Sequence, residues 1–134
     1  MKVCVADTHS LIWHLQNNPR LSRQGRLLFS QADAGEASIV VPTIVLVEMT
    51  YLAEKKRIAN ELVKAALNLL REPSENYRLA SLNLAVVEAL KQVSRSLVPD
   101  MPDRIIAATA LSLGLPLLTR DRALAAVEDL EVIW

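Results

Sequence analysis

Short, partly β-branched apolar runs punctuate the chain: KVCVA from Lys2 to Ala6, SIVV from Ser38 to Val41, YRLASL from Tyr77 to Leu82, LPLLT from Leu115 to Thr119, and EVIW at the end. Each has the length and composition of a strand. Between them run longer stretches with apolar residues at helical spacing, as at Leu11, Ile12 and Leu15, at Leu62, Ala65, Ala66 and Leu69, and at Val86, Val87, Leu90 and Val93. Strand and helix therefore alternate. Strands that are apolar throughout, rather than at every second position, suit burial on both faces. The pattern thus predicts an α/β chain with helices on either side of a five-stranded parallel sheet. Ser22 and Asn83 can cap helices, Pro73 ends the long helical stretch that begins at Thr43, and Gly114 can close the helix before the fourth strand. With no repeat, linker or low-complexity segment, residues 1–134 are expected to form one domain.

One residue breaks the pattern. IVVPTIVLVEMTYLA, from Ile39 to Ala53, is almost wholly apolar, yet Glu48 lies within it. If Pro42 and Thr43 open a helix, the residues one turn from Glu48 are Ile44, Val45, Tyr51 and Leu52. None can neutralise a carboxylate, and a buried charge without a partner is costly.

Composition narrows the setting. Hydrophobic residues make up 51% and charged residues 22%, ordinary for a folded chain and unlike a disordered one, while an aromatic content of 4% makes the core aliphatic. Fifteen basic and fifteen acidic residues cancel, so any polyanion must be met by a local patch rather than by a global field. The one cysteine, Cys4, falls in the first apolar run, where it packs as a small hydrophobe; a disulfide framework is excluded and a reducing cytoplasm fits best. No signal-peptide pattern opens the chain and no apolar run approaches the roughly 20 residues that span a bilayer, so membrane insertion is not expected.

In an open parallel sheet the carboxyl ends of the strands and the starts of the following helices share one edge, and ligands bind there. Acids recur at that edge. Asp7 follows the first strand, Glu48 lies in the first turns of the helix after the second, Asp103 opens the helix MPDRIIAATALSLG, and Asp121 lies two residues past the fourth strand. Asp7 and Asp121 can be read as N-caps, and Asp100 with Asp103 as a variant capping box. Glu48 cannot, because it lies too far into its helix. Two carboxylates about 4 Å apart repel by about 4 kcal/mol at an effective dielectric near ~20, so a cluster of them persists when a cation occupies it. Oxygen-only donors select a hard ion, Mg²⁺ or Mn²⁺. Such an ion, keeping several waters, suits phosphodiester hydrolysis. With three glycines and no glycine-rich phosphate loop, a nucleoside-triphosphate enzyme is disfavoured.

The strings VADTHSLIW, VVPTIVLVEMTYL and MPDRIIAATALSLGLPLLTRD, in that order and across essentially the whole chain, resemble PIN-domain nucleases, in particular the VapC-like toxins of bacterial and archaeal toxin–antitoxin pairs. The resemblance implies a three-layer α/β/α fold and a metal-dependent endoribonuclease. It also implies an acidic set of Asp7, Glu48, Asp103 and Asp121 that binds Mg²⁺ or Mn²⁺ and positions a water against an RNA phosphodiester. The family's hydroxyl residue before the last acid matches Thr119. A homodimer and inhibition by a cognate antitoxin are further implications. PDMPDR offers two aspartates at the third position; Asp103 matches the family context, with Asp100 as its cap and neighbour.

Arg104 adjoins Asp103 and can grip an RNA phosphate, whereas Arg120 and Arg122 fit phosphate contact or charge balance equally. His9 and His14, five apart, do not share a helical face, so a histidine metal site is not expected, and His9 reads as a surface or packing residue. Trp13 and Trp134 read as packing. Two other functions compete with the nuclease: a non-catalytic PIN-like module that holds RNA or protein, and a phosphatase with Asp7 as nucleophile. The phosphatase is disfavoured because Thr8 and His9 stand where a second aspartate is wanted.

Overall fold

The computed structural model describes residues 1–134. Five strands, β1 (Lys2–Ala6), β2 (Ala37–Pro42), β3 (Tyr77–Ala80), β4 (Leu117–Leu118) and β5 (Val132–Ile133), form one sheet in the order β3-β2-β1-β4-β5, with every pairing parallel. Helices α1 (Thr8–Leu15) and α2 (Arg23–Asp33) connect β1 to β2, and α3 (Thr43–Glu54) and α4 (Asn60–Arg71) connect β2 to β3. Helix α5 (Leu84–Ala89), a 3-10 turn at Leu90–Gln92 and α6 (Met101–Leu113) return the chain to β4, and α7 (Arg122–Ala125) leads to β5. The first two crossovers run outward from β1 in one direction, while the last two carry the chain back past it. Right-handed connections therefore put the two sets of helices on opposite faces, giving the expected three-layer α/β/α architecture.

The uninterrupted apolar strands are buried on both sides, as their pattern demands. All six residues of β2 are buried, and Val5, Ala6, Ile39, Val41, Leu117 and Leu118 are wholly inaccessible. The expected caps form at Ser22, whose hydroxyl accepts from the Gly25 N–H at 3.0 Å, and at Asn83, whose side chain accepts from the Val86 N–H at 3.1 Å. Gly114 ends α6 at φ 65°, a left-handed conformation that glycine adopts without strain.

The stretch from Thr43 to Pro73 is two helices, not one. Its polar centre, EKKR, offers no apolar face to bury. There Lys56 turns left-handed at φ 59°, its N–H bonding Ala53 O and that of Arg57 bonding Leu52 O, both at 2.9 Å. This pair of bonds closes α3 as a Schellman turn with lysine where glycine is usual. Of the four neighbours of Glu48, Ile44 and Val45 are buried and Leu52 is half-buried, but Tyr51 faces solvent.

The strand order reverses between β1 and β4. Their carboxyl ends, Ala6 and Leu118, lie side by side, so the segments that follow diverge and leave a crevice between them.

Candidate active site

The acids meet at that crevice. Asp7 caps α1, one carboxylate oxygen accepting from the Ser10 N–H at 3.0 Å, and the Ser10 hydroxyl donates to Leu118 O at 3.1 Å, pinning the first turn of α1 to β4. Asp121 caps α7, accepting from the Ala123 N–H at 2.8 Å. Asp100 rather than Asp103 caps α6, accepting from the Asp103 N–H at 3.2 Å. Capping and membership of the site are therefore not alternatives. Each cap engages one oxygen of Asp7 and Asp121 and leaves the second free, while the Asp103 side chain caps nothing.

Asp7, Glu48, Asp103 and Asp121, with Asp100, line one open cleft of about 480 Å³ together with Thr8, His9, Trp13 and Arg120. Only Trp13 among these is apolar. No acid of the cleft lies within ion-pair distance of a basic side chain; the one such approach in the protein, His14 to Asp33 at 4.0 Å, lies elsewhere. The Thr8 hydroxyl donates to Glu48 Oε1, which answers the question posed by the glutamate in its apolar helix: its head leaves the helix face for the cleft and finds a donor there. Uncompensated negative charge shows in the proton affinities. Burial, then the neighbouring charges of Asp100, Glu48 and Asp121, push Asp103 up to about 7. Glu48 is raised by burial, with Asp100 and Asp7 adding to the effect, while the Thr8 hydrogen bond and His9 oppose it.

The acids rim the cleft rather than closing on a point, and no three His, Cys, Asp or Glu side chains form a ready cage for an ion. That spacing, with oxygen donors only, fits a hydrated hard cation, because Mg²⁺ keeps several waters and takes only one or two carboxylates directly.

Two expected residues lie elsewhere. Thr119 is buried behind the cleft and does not line it; its hydroxyl accepts the Asp121 N–H at 3.0 Å, so it positions the acid rather than facing a ligand. Arg104 is turned away from the cleft. Its Nε donates to Val93 O at 3.1 Å and its Nη2 to Leu90 O and Val93 O at 2.9 Å, tying α6 to the end of the α5 segment. The expectation that it grips a phosphate gives way to a structural role, because a guanidinium spent on buried-side carbonyls has no open fork for a ligand.

Thr8 and His9 are cleft residues that sequence reasoning passed over or read as surface or packing, and Arg120, whose role the sequence left open, lines the cleft as well. Thr8 had one visible signal, its place directly after Asp7 at a helix start. His9 is exposed and its ring centroid lies 5.6 Å from that of Trp13, one turn on; Arg120 lies over the other side of Trp13 at 5.9 Å. Trp13 is buried and touches Trp134, with centroids 6.0 Å apart, in keeping with a packing role for both.

Relatives share this plan. Ribonuclease VapC22 of Mycobacterium tuberculosis is 30% identical over 124 residues, which cover 92% of this chain and 91% of that protein. Among solved structures, VapBC from Salmonella typhimurium bound to DNA superposes with a TM-score of 0.74 at 18% identity, covering 99% of this chain and 98% of the matched chain. VapBC2 from Rickettsia felis bound to a promoter DNA fragment gives a TM-score of 0.71 at 14% identity, covering 98% and 97%. At such low identity these two likenesses speak for the fold alone. The sequence model of the PIN domain matches residues 4–130, nearly the whole chain, and the chain belongs to the PIN-domain family.

Proposed function

We propose that this protein is an endoribonuclease, the toxin of a toxin–antitoxin pair, and that Asp7, Glu48, Asp103 and Asp121 hold Mg²⁺ or Mn²⁺ for hydrolysis of RNA phosphodiester bonds. The observation that carries the reading is the set of four acids, unpaired by any cation of the chain, at the strand-order reversal of a PIN fold. The likeness to a ribonuclease over nine-tenths of the chain sets the substrate class. When bound, a divalent ion at such a site neutralises phosphate oxygens and lowers the pKa of a water.

The chain's own part is positional. The cap bonds hold Asp7 and Asp121 each by one oxygen, restricting how the carboxylates turn and leaving the other oxygen free for a ligand of the cleft both residues line. Thr119 holds the backbone of Asp121, and Thr8 orients Glu48. Asp103, pushed up to about 7, holds its proton more readily than a free carboxylate, and a cation at the site would compete with that proton. The reading places one domain at residues 1–134. It expects a second copy and an antitoxin to cover exposed apolar side chains such as Leu84, Met101 and Tyr51. Purified protein should cleave RNA in Mg²⁺ or Mn²⁺ and stop in excess chelator. RNA binding without cleavage in either ion would instead favour the non-catalytic module.

A further inference from the structure

Beside the acidic cleft lies a second hollow of about 440 Å³ between α1 and the turn joining α3 to α4. The two adjoin, since His9 and Trp13 line both. Their charges are opposite. The second hollow carries Arg20 and Arg57 and no acid, and neither arginine is ion-paired. Both are exposed and both stand on turns fixed by the backbone. Arg57 follows the left-handed Lys56, and Arg20 follows a matching turn at the end of α1, where Asn17 has φ 52° and the Asn18 N–H bonds Trp13 O at 2.8 Å. Arg120 stands at the border, held over Trp13, again without a carboxylate partner.

We propose that this hollow is the subsite for the RNA strand flanking the scissile bond, with Arg20 and Arg57 holding successive backbone phosphates, and with His9 and Arg120 on Trp13 forming the saddle over which the strand enters the acidic cleft. The inference rests on the nuclease reading of that cleft. A cationic groove interleaved with flat side chains is what a single strand requires, since phosphates need positive charge and bases need faces to lie on. An acidic peptide would be served by the arginines but not by the aromatic saddle. The acidic cleft itself repels phosphate until a cation fills it, so the flanking grip must come from outside, and beyond Arg120 at the border the adjoining hollow supplies Arg20 and Arg57, both unpaired.

The test measures fluorescence anisotropy of labelled RNA oligomers, in excess chelator so that nothing is cleaved, across a salt series. A 12-mer should bind the wild type with a slope of log Kd against log salt that falls by about 1.4 in Arg20→Ala/Arg57→Ala, at about 0.7 per single-strand phosphate contact. Arg20→Lys/Arg57→Lys should keep the slope, because it keeps the charge. A 3-mer, which in chelator has only the hollow to bind, should lose affinity in the alanine variant as the 12-mer does. An unchanged slope in the alanine variant overturns the proposal, whether or not its thermal stability falls, as does a 3-mer that binds the wild type and the alanine variant alike. Strong competition by polyglutamate with no change of RNA slope would assign the hollow to an acidic protein and also overturn it. Failure of the wild type to cleave RNA in Mg²⁺ would defeat the nuclease reading, while the chelator series still decides where RNA lies.

Discussion

Thr8 is the only hydrogen-bond partner of the Glu48 carboxylate, and it reaches across from α1 to α3 to supply that bond. Removing the hydroxyl leaves the ligand free to turn back along its helix. Outer groups that orient metal ligands contribute about 10–100-fold to affinity, so Thr8→Val should weaken Mn²⁺ binding by that range with its fold intact by circular dichroism; unchanged affinity would remove Thr8 from the site. Arg104 makes the opposite prediction. Charged hydrogen bonds contribute about 1.5–3 kcal/mol each at most, and three share one guanidinium here. Arg104→Ala should lower stability by about 2–3 kcal/mol in urea denaturation, while cleavage per folded molecule stays within about threefold, a difference of less than 1 kcal/mol. Full stability with lost RNA binding would restore the phosphate role suggested by its place beside Asp103. The buried Cys4, whose thiol burial pushes up to about 11, enters none of this chemistry.

Among the elements, the turn between α3 and α4 carries the clearest strain. An L-residue in the left-handed region costs about 1–2 kcal/mol, and glycine's extra freedom when unfolded costs about 0.5–1 kcal/mol. Lys56→Gly should therefore stabilise the protein by about 0.5–1 kcal/mol in urea; a loss of stability would mean that the lysine side chain holds the turn. This turn also marks where sequence reading reached its limit. Strands β1 and β2 were legible because their apolar runs have no polar interruption and each lies between partners. The run EKKR reads as the polar end of a helix, and α3 does end there, but the left-handed lysine that closes it carries no glycine signal. The five-membered run at Leu115–Thr119 yields a β4 of two residues, although Pro116 O before it accepts from the Val5 N–H and the Thr119 N–H after it donates to Ile133 O. In the site, Asp7, Glu48, Asp103 and Asp121 were visible as chain positions following strands or opening helices. Thr119, expected from the resemblance to help hold the site, does so through the backbone of Asp121, whereas Arg104 was placed by its position beside Asp103, which does not reveal which way a side chain turns. His9 meets Trp13 one turn along the same helix, whereas the contact of Arg120 with Trp13 joins segments more than a hundred residues apart and is invisible in the sequence.

For the molecule as a whole, the acidic cleft links stability to pH and to metal. Asp103 has its folded proton affinity raised from 3.8 to about 7, and Glu48 is raised as well, so between those limits the folded state binds more protons than the unfolded chain. Stability of the metal-free protein must then fall as pH rises from about 4 to about 7. His14, lowered mainly by burial, acts in the opposite sense as it loses its proton. The difference between wild type and Asp103→Asn isolates the acid. In chelator, the melting temperature of the wild type relative to Asp103→Asn should drop between pH 5 and pH 8, and excess Mg²⁺ should abolish that drop; a relative melting temperature that rises with pH would contradict the raised Asp103. Whether the four acids form one cation site is decided most directly by calorimetric titration of Mn²⁺ into the wild type and Glu48→Gln at pH 7. The account predicts a saturable site in the wild type with protons released on binding, and an affinity at least about tenfold weaker in Glu48→Gln. Equal affinities in the two proteins, or no saturable binding to the wild type, would contradict it.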